Sequence, residues 1–287
     1  MSDAGEGILS LVGTPIGNLE DASARMVDTL RRADVVLCED TRVTSKLLSR
    51  FEVRVPLMRC DQNVIASRVE GVLRRLDAGE RVAFVSDAGM PGVSDPGQQL
   101  VDAALDHGAR IEVIPGPSAV VCALVASGLP MDHFFFEGFL PRKSGARERR
   151  LQELQNVPGA LVFYESPHRV VATLQSVAAV MPKRRVALVR ELTKVHGEVV
   201  RGNSCELAQQ IAERPEVRGE CVVVVEGPVG NEGSVSVGPS LSLEEAIDAG
   251  LRAGESKSQL AKRLSREFSL RRSEVYDKIV NAGVGYP

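Results

Sequence analysis

The sequence contains no tryptophan, and aromatic residues make up only 4% of its 287 residues. Rows of stacked aromatic rings, on which many proteins that bind single-stranded nucleic acids depend, are therefore not expected. The formal net charge is −3, so the chain carries no overall excess of positive charge for binding a polyanion. A basic surface confined to one part of the protein remains compatible with this value.

The five cysteines are scattered along the chain and follow no metal-binding spacing. No two of them form a CxxC motif, and none has histidines at zinc-finger spacing, so we expect no metal site. An odd set of unpaired thiols fits a reducing compartment. The N-terminus lacks a basic leader pattern, and no apolar run approaches the length that spans a bilayer. These features predict a cytoplasmic protein that does not enter a membrane.

The most informative segment is VSDAGMPGVSDPG at 85–97. It follows an apolar run at 81–85 that is typical of a buried strand, and it contains three glycines, two prolines and two aspartates. Glycines let backbone groups approach a ligand closely, and prolines stiffen the loop. A rigid polar loop at the carboxyl end of a strand is where open α/β sheets bind small molecules. An ordinary strand-to-helix connection is the alternative, and the length and composition favour the ligand loop.

Apolar strand candidates alternate with helical patterns through the first 114 residues, which predicts a mostly parallel sheet with helices on its faces. A second set of strands and helices follows, and three short helices are predicted near the C-terminus. We therefore predict an N-terminal α/β subdomain at 8–116, a C-terminal α/β subdomain at 117–230 and a small helical region at 240–287, the last preceded by a linker at 231–239.

Four further polar segments follow apolar strands. Glutamate and arginine are costly to bury, so their clustering at strand ends suggests a charged pocket. Mutual ion pairing at a domain interface is the structural alternative. The first segment superficially resembles a dinucleotide-binding turn but lacks GxGxxG, which argues against NAD or FAD. The segments are LVGTPIGNLED at 11–21, LCEDTR at 37–42, FYESPHR at 163–169 and VRELTKVHGE at 189–198.

Local runs of basic residues also point to an acidic partner. The segment 142–150 carries five bases and one acid, a density that could neutralise several phosphates. A solvated helix face would explain the same pattern. The C-terminal region has a comparable excess of bases, which suggests contact with RNA.

Together these motifs resemble the tetrapyrrole methylase family. Three of them also resemble the branch whose members transfer a methyl group from S-adenosylmethionine to the 2′-O of cytidine 1402 in 16S ribosomal RNA. The similarity runs from about residue 8 to residue 227, with its motifs in order. They are GTPIGN at 13–18, CEDTR at 38–42, SDAGMPGVSDPG at 86–97, PGPSA at 115–119, FYESPHR at 163–169 and RELTK at 190–194.

The resemblance implies two α/β subdomains with the cofactor cleft between them, usually in a homodimer, and 16S ribosomal RNA in the small ribosomal subunit as the substrate. It also implies which residues bind S-adenosylmethionine. In the porphyrin-directed branch a glycine stands where this chain has Asp87. The predicted cofactor-binding residues are Pro15, Asp87, Ala88, Gly89, Met90, Val93, Ser118, Ala119, Tyr164, Glu165 and Leu192.

A ribose hydroxyl is a weak acid, so its methylation is helped by a base or by a cation that lowers its pKa. Glu191 and Lys194 are the candidates for proton acceptor or electrostatic stabiliser, because both follow a strand that leads to the expected cleft. His168 could be a base, but a histidine after proline at a helix start is as often structural or phosphate-binding. The predicted RNA-binding residues are Arg42, Arg142, Lys143, His168 and Arg169.

Two other functions are compatible with the sequence. A small-molecule, tetrapyrrole-like methyltransferase would use the same fold, and its polycarboxylate substrate would also suit a basic wall. A regulatory or assembly module that binds the cofactor without catalysis is the third possibility, and the many charged residues expected in the cleft count against it.

Overall fold

The computed structural model describes residues 7–94, 97–228, 242–252, 254–268 and 270–282. The chain divides into two compact units, Met1–Pro228 and Val229–Pro287. The linker predicted at 231–239 lies outside the described residues.

The first sheet consists of five parallel strands in the order β3-β2-β4-β1-β5. Its central strands are continuous apolar runs because helices cover both faces, as is typical of parallel sheets. One hydrophobic cluster lies on each face of the sheet, between the strands and the helices that cover them. The strands are β1 (Ile8–Val12), β2 (Val35–Cys38), β3 (Leu57–Arg59), β4 (Arg81–Val85) and β5 (Arg110–Ile114).

Two of the four helices of this half begin at polar side chains that cap them. Ser23 accepts a hydrogen bond from the Met26 amide, and Asp40 accepts one from the Arg42 amide, which satisfies donors that a helix start leaves unpaired. A 3₁₀ turn at Leu19–Asp21 precedes the first helix. The helices are α1 (Ala24–Arg32), α2 (Thr41–Arg50), α3 (Ile65–Asp77) and α4 (Gln98–Asp106).

The second sheet is mixed, with the strand order β6-β7-β10-β8-β9. β6 and β7 are parallel, and the other neighbours are antiparallel. The parallel pair contains a bulge between Phe136 and Gly138. The strands are β6 (Phe134–Phe139), β7 (Ala160–Glu165), β8 (Arg185–Arg190), β9 (Glu198–Asn203) and β10 (Cys221–Val225).

Helices cover both faces of the second sheet as well. Leu151, Leu174 and Leu207, from three different helices, belong to one buried cluster with the sheet residue Phe163. On the other face, Val120 and its neighbours pack against the sheet. The helices are α5 (Ala119–Ser127), α6 (Ser144–Leu154), α7 (Val170–Val180) and α8 (Ser204–Ala212).

The C-terminal unit contains three helices, α9 (Leu243–Arg252), α10 (Lys257–Glu267) and α11 (Arg272–Ala282). They enclose a small core that includes Leu260 and Ile279. Across the described parts of both units, no helix combines the length and the apolar character needed to cross a membrane.

Glu198, at the start of the edge strand β9, makes the stability of the first unit depend on pH. Its carboxylate accepts hydrogen bonds from Arg214 at 2.8 Å and from Arg190 at 2.6 Å. These guanidinium groups, Arg214 above all, lower the pKa of Glu198 to about 2. Because the folded-state pKa lies below the unfolded value, the stabilisation is complete above pH ~4.5 and is lost as the pH falls towards 2.

We therefore expect wild type to be more stable than Glu198→Gln at pH 6, with the difference shrinking by pH 3. Denaturant midpoints of both variants at the two pH values measure it. Arg214→Gln removes the partner of Glu198 and should reduce the pH dependence of the stability as well. A difference between wild type and Glu198→Gln that stays constant with pH would contradict this account.

Candidate functional site

A cavity of about 420 Å³ lies between the loop that follows β4 and the edge of the second sheet. Nine of the eleven predicted cofactor-binding residues line it. Pro15 is buried and Leu192 packs beside α5, and neither is among the lining residues. The nine are Asp87, Ala88, Gly89, Met90, Val93, Ser118, Ala119, Tyr164 and Glu165.

The loop after β4 is fixed to the loop after β1 by an isolated bridge. The amide of Thr14 donates to the carbonyl of Gly89 at 2.9 Å, and the amide of Gly89 donates back at 3.1 Å. Gly89 has φ +82°, a conformation that favours glycine. The buried Thr14 Oγ1 has no hydrogen-bond partner among the described residues.

Two glycines allow the backbones after β1 and β5 to approach each other directly. A Cβ on Gly13 would lie 2.7 Å from the Gly116 backbone and 2.6 Å from the Met90 sulfur, closer than real Cβ atoms come. Because Met90 lines the cavity, this contact places one wall of the site directly on the carboxyl edge of the first sheet. Ligand sites of open α/β sheets are found at this edge.

On the opposite wall, Glu165 has a carboxylate with no exposed surface. One oxygen accepts the amide of Ser166 at 2.8 Å, and the other accepts the hydroxyl of Thr173 at 2.7 Å. The guanidinium of Arg169 lies 3.2 Å from the first oxygen and also donates to the Leu140 carbonyl at 2.7 Å. A buried carboxylate requires such partners, so this network holds the cavity wall in place.

Replacing Thr173 by valine is expected to destabilise the protein by about 1–3 kcal/mol, because a buried oxygen of Glu165 then lacks its hydroxyl donor. Valine has nearly the same shape, so little packing is lost. Thr173→Ser keeps the hydroxyl and serves as the control. Chemical unfolding of the three proteins measures the effect, and equal loss in the serine variant would indicate packing instead of the hydrogen bond.

Glu191 and Lys194 form an ion pair beside the cavity. Lys194 Nζ lies 2.9 Å from Glu191 Oε1, and the amide of Glu220 donates to the same oxygen at 2.9 Å. Lys194 Nζ also lies 3.7 Å from the carboxylate of Glu220, which lines the cavity. Glu191 itself has φ +50°, a conformation that is rare for residues with a side chain. Thr193, between the pair, donates to the carbonyl of the lining residue Ile16 at 3.2 Å.

The ion pair fixes the protonation states of its members. The hydrogen bond from Lys194 lowers the pKa of Glu191, and the same bond raises the pKa of Lys194. Lys194 is therefore a persistent cation at neutral pH. Glu191 is a weak base, since Lys194 and the Glu220 amide hold its carboxylate in the charged form.

The five predicted RNA-binding residues do not form one cluster. Arg142, Lys143 and His168 are exposed. Arg169 is held within the buried network around Glu165. Arg42 is ion-paired with Asp40 and lines a separate cavity of about 360 Å³. That cavity adjoins the first one, because the Asp40 amide donates to the side chain of Asp87 at 3.1 Å.

Sequence reasoning missed the part of the cavity wall that comes from Phe139 and from the start of β10. Glu220, Cys221 and Val222 lie outside the motifs singled out in the sequence, and the antiparallel pairing of β10 with β7 brings them to the site. Among the residues that the structure describes, no cluster of three or more histidine, cysteine or acidic side chains is arranged to hold a metal ion.

The sequence matches a family model, Tetrapyrrole (Corrin/Porphyrin) Methylases, over residues 9–208. Several curated proteins named Ribosomal RNA small subunit methyltransferase I are similar over most of their length. The protein from Streptococcus pyogenes serotype M1 is 37% identical, over 95% of this chain and 94% of its own. The one from Thermotoga maritima is 42% identical, over 77% and 99%. The one from Mesorhizobium japonicum is 46% identical, over 78% and 76%.

Solved structures share the fold. Diphthine synthase superimposes with a TM-score of 0.60 at 14% identity, over 77% of this chain and 90% of its own. A uroporphyrin-III C-methyl transferase from Thermus thermophilus, complexed with S-adenyl homocysteine, gives 0.53 at 23% identity, over 77% and 97%. The predicted fold of two α/β subdomains with a C-terminal helical region is confirmed, and the boundaries at 116, 230 and 240 stay predictions. The chain belongs to the tetrapyrrole methylase family.

Proposed function

We propose that this protein transfers a methyl group from S-adenosylmethionine to the 2′-O of cytidine 1402 in 16S ribosomal RNA, within the small ribosomal subunit. The observation that carries the proposal is the cavity at the carboxyl edge of the first sheet. Its substrate is inferred from relatives that are named Ribosomal RNA small subunit methyltransferase I. A ribosomal RNA substrate places the reaction in the cytoplasm.

The cavity suits S-adenosylmethionine in size and chemistry. Its volume of about 420 Å³ lies within the range of small-molecule sites, and most such sites combine apolar walls with a few placed polar groups. Ala88, Gly89 and Met90 supply apolar surface. The carboxylate of Asp87 supplies negative charge for a cationic ligand, and Ser94 and Ser118 supply hydroxyl groups.

When bound, the cofactor supplies an electrophilic methyl group on a sulfonium centre. The protein has to place the ribose hydroxyl in line with that methyl group and help the hydroxyl lose its proton. In our proposal the proton of the hydroxyl passes to solvent water, and the Lys194 ammonium stabilises the negative charge that its loss leaves on the ribose oxygen. A fixed cation near the cavity costs no reorganisation during the reaction. Glu191 positions Lys194 and keeps it protonated.

RNA binding is assigned to the exposed basic residues near the cavity wall. Arg142 and Lys143 immediately precede α6, and the carbonyl of Leu140 beside them is held by Arg169. His168 is also exposed, two residues after the lining residue Ser166. We propose that these side chains contact phosphates and that Arg169 acts mainly as their support. Phosphate contacts of this kind position an RNA without reading its sequence.

We also propose that the active form is a homodimer. Val121 and Val125 on α5 are 52% and 63% exposed, although this helix is apolar on all sides. Exposed apolar surfaces of this kind are commonly buried against a second copy of the same chain.

The proposed function is tested with labelled S-adenosylmethionine and small subunits from cells that lack this methylation. We expect one labelled 2′-O-methyl group per subunit, at cytidine 1402. Parallel reactions with free 16S ribosomal RNA separate the naked RNA from the assembled subunit as substrate. Cofactor binding without any labelling of ribosomal RNA would overturn the proposal and would favour a small-molecule methyltransferase.

A further inference from the structure

Phe139 presents an exposed aromatic ring at the cavity. It is 57% exposed and is the most exposed phenylalanine among the described residues. It lines the cavity together with Tyr164, and their rings make an edge contact with centroids 5.8 Å apart. A T-shaped contact with one neighbour covers at most one face of a ring. The other face of Phe139 is therefore available to a planar group.

A β-bulge directs Phe139 towards this place. Strict alternation along β6 would put Phe136 and Phe139 on opposite faces of the sheet. The register shift at Glu137 instead pairs Phe139 with Tyr164 and Phe136 with Val162, so both phenylalanines share one face. Bulges that redirect a side chain in this way are frequent next to active sites.

Other side chains hold the bulge in this form. The carboxylate of Glu137 binds the guanidinium of Arg150 through two hydrogen bonds of 2.6 and 2.8 Å. Gly138 has φ +77°, and a Cβ there would lie 3.1 Å from the hydroxyl oxygen of Ser94 in the opposite loop. The ring of Phe139 is thus supported by a fixed backbone although most of its own surface is exposed.

The lining residues differ in how deeply they lie. Gly89 and Glu165 are buried, and a bound small molecule has most of its surface enclosed by such residues. Phe139 belongs to the exposed part of the lining, where a nucleotide can reach the cavity from solvent. Single-stranded RNA bases are commonly recognised by stacking on aromatic side chains.

We propose that Phe139 is a positioning residue on which the base of the target cytidine stacks while its ribose enters the cavity. The inference rests on the proposed function. It assigns to one exposed ring a role that the low aromatic content of the chain does not suggest.

The test compares Phe139→Ala with wild type in two measurements on the full chain. We expect an unchanged Kd for S-adenosylmethionine, measured by calorimetry. In methyl transfer to undermethylated small subunits, kcat/KM for the subunit should fall on the order of tenfold to a hundredfold. Phe139→Tyr keeps a ring and should retain nearly wild-type transfer. Phe134→Ala removes a 49% exposed ring of the same strand that does not line the cavity, and should leave both measurements unchanged.

Loss of cofactor affinity equal to the loss of transfer would overturn the inference and make Phe139 a cofactor contact. Wild-type transfer by Phe139→Ala, or equal loss in Phe134→Ala, would overturn it as well. Absence of transfer by the wild-type chain would overturn the proposed function and the inference together, so the two failures are distinguishable.

Discussion

Replacement of Lys194 by alanine is expected to lower kcat for methyl transfer on the order of a hundredfold while the Kd for S-adenosylmethionine stays nearly constant. The loss of one preorganised group that stabilises developing charge typically has an effect of this size. Lys194 does not line the cavity itself, but its ammonium lies 3.7 Å from the carboxylate of the lining residue Glu220. Calorimetry and single-turnover methyl transfer to small subunits measure the two quantities.

Two further variants separate charge from position. Lys194→Arg keeps a cation and should recover part of the activity. Glu191→Gln removes the carboxylate that holds Lys194, and we expect a smaller loss of turnover than in Lys194→Ala. Equal losses of turnover and cofactor affinity in Lys194→Ala would place this residue in the cofactor site instead.

Gly13→Ala is expected to destabilise the first unit by about 3 kcal/mol and to weaken cofactor binding. The added Cβ would lie 2.7 Å from the backbone of Gly116 and 2.6 Å from the sulfur of Met90, so a backbone segment or the lining methionine has to move. For a unit of this size the loss corresponds to a fall in Tm of about 6–12 °C. Thermal unfolding and calorimetric titration with S-adenosylmethionine give the two values.

Gly71→Ala is the matched control because Gly71 lies within α3, where a Cβ would approach only one atom, 3.9 Å away at the end of the Arg74 side chain. Alanine at an open helix position raises stability by about 0.5–1 kcal/mol. If Gly13→Ala were as stable as wild type, the contact between the loops after β1 and β5 would be looser than the structure indicates.

Much of the fold was predictable because its central strands are apolar and its turns are rich in glycine and proline. The apolar run predicted as a strand at 81–85 is β4, and the predicted alternation of strands and helices through the first 114 residues is present. Two edge strands were missed. Leu57–Arg59 has only three residues, and Glu198–Asn203 contains only two apolar residues, Val199 and Val200, and begins at the last residue of the segment 189–198.

The helix Thr41–Arg50 was also missed, since it follows the CEDTR motif and buries only two side chains, Thr44 and Leu48. Its N-cap, Asp40, belongs to the motif itself. A helix is recognised in a sequence by apolar residues that recur at helical spacing, and two buried residues are too few to form a clear pattern.

The candidate site was predicted where its residues sit in motifs that follow strands. It was missed where pairing between distant strands supplies the wall, as for Glu220 and its neighbours. The interpretation of Arg169 as an RNA contact stays a prediction, but its hydrogen bond to Leu140 and its ion pair with Glu165 were invisible to sequence patterns. Such contacts depend on packing between elements, which spacing along the chain does not encode.

The bulge in β6 decides which face of the sheet every later side chain of this strand occupies. If Phe136, Glu137, Gly138 and Phe139 followed strict alternation, Phe139 would turn towards the helices that now cover Leu140. Every side chain after Glu137 would then exchange its face, although no apolar residue had been lost. Gly138, whose φ of +77° belongs to the bulge, is therefore constrained in sequence although it does not line the cavity.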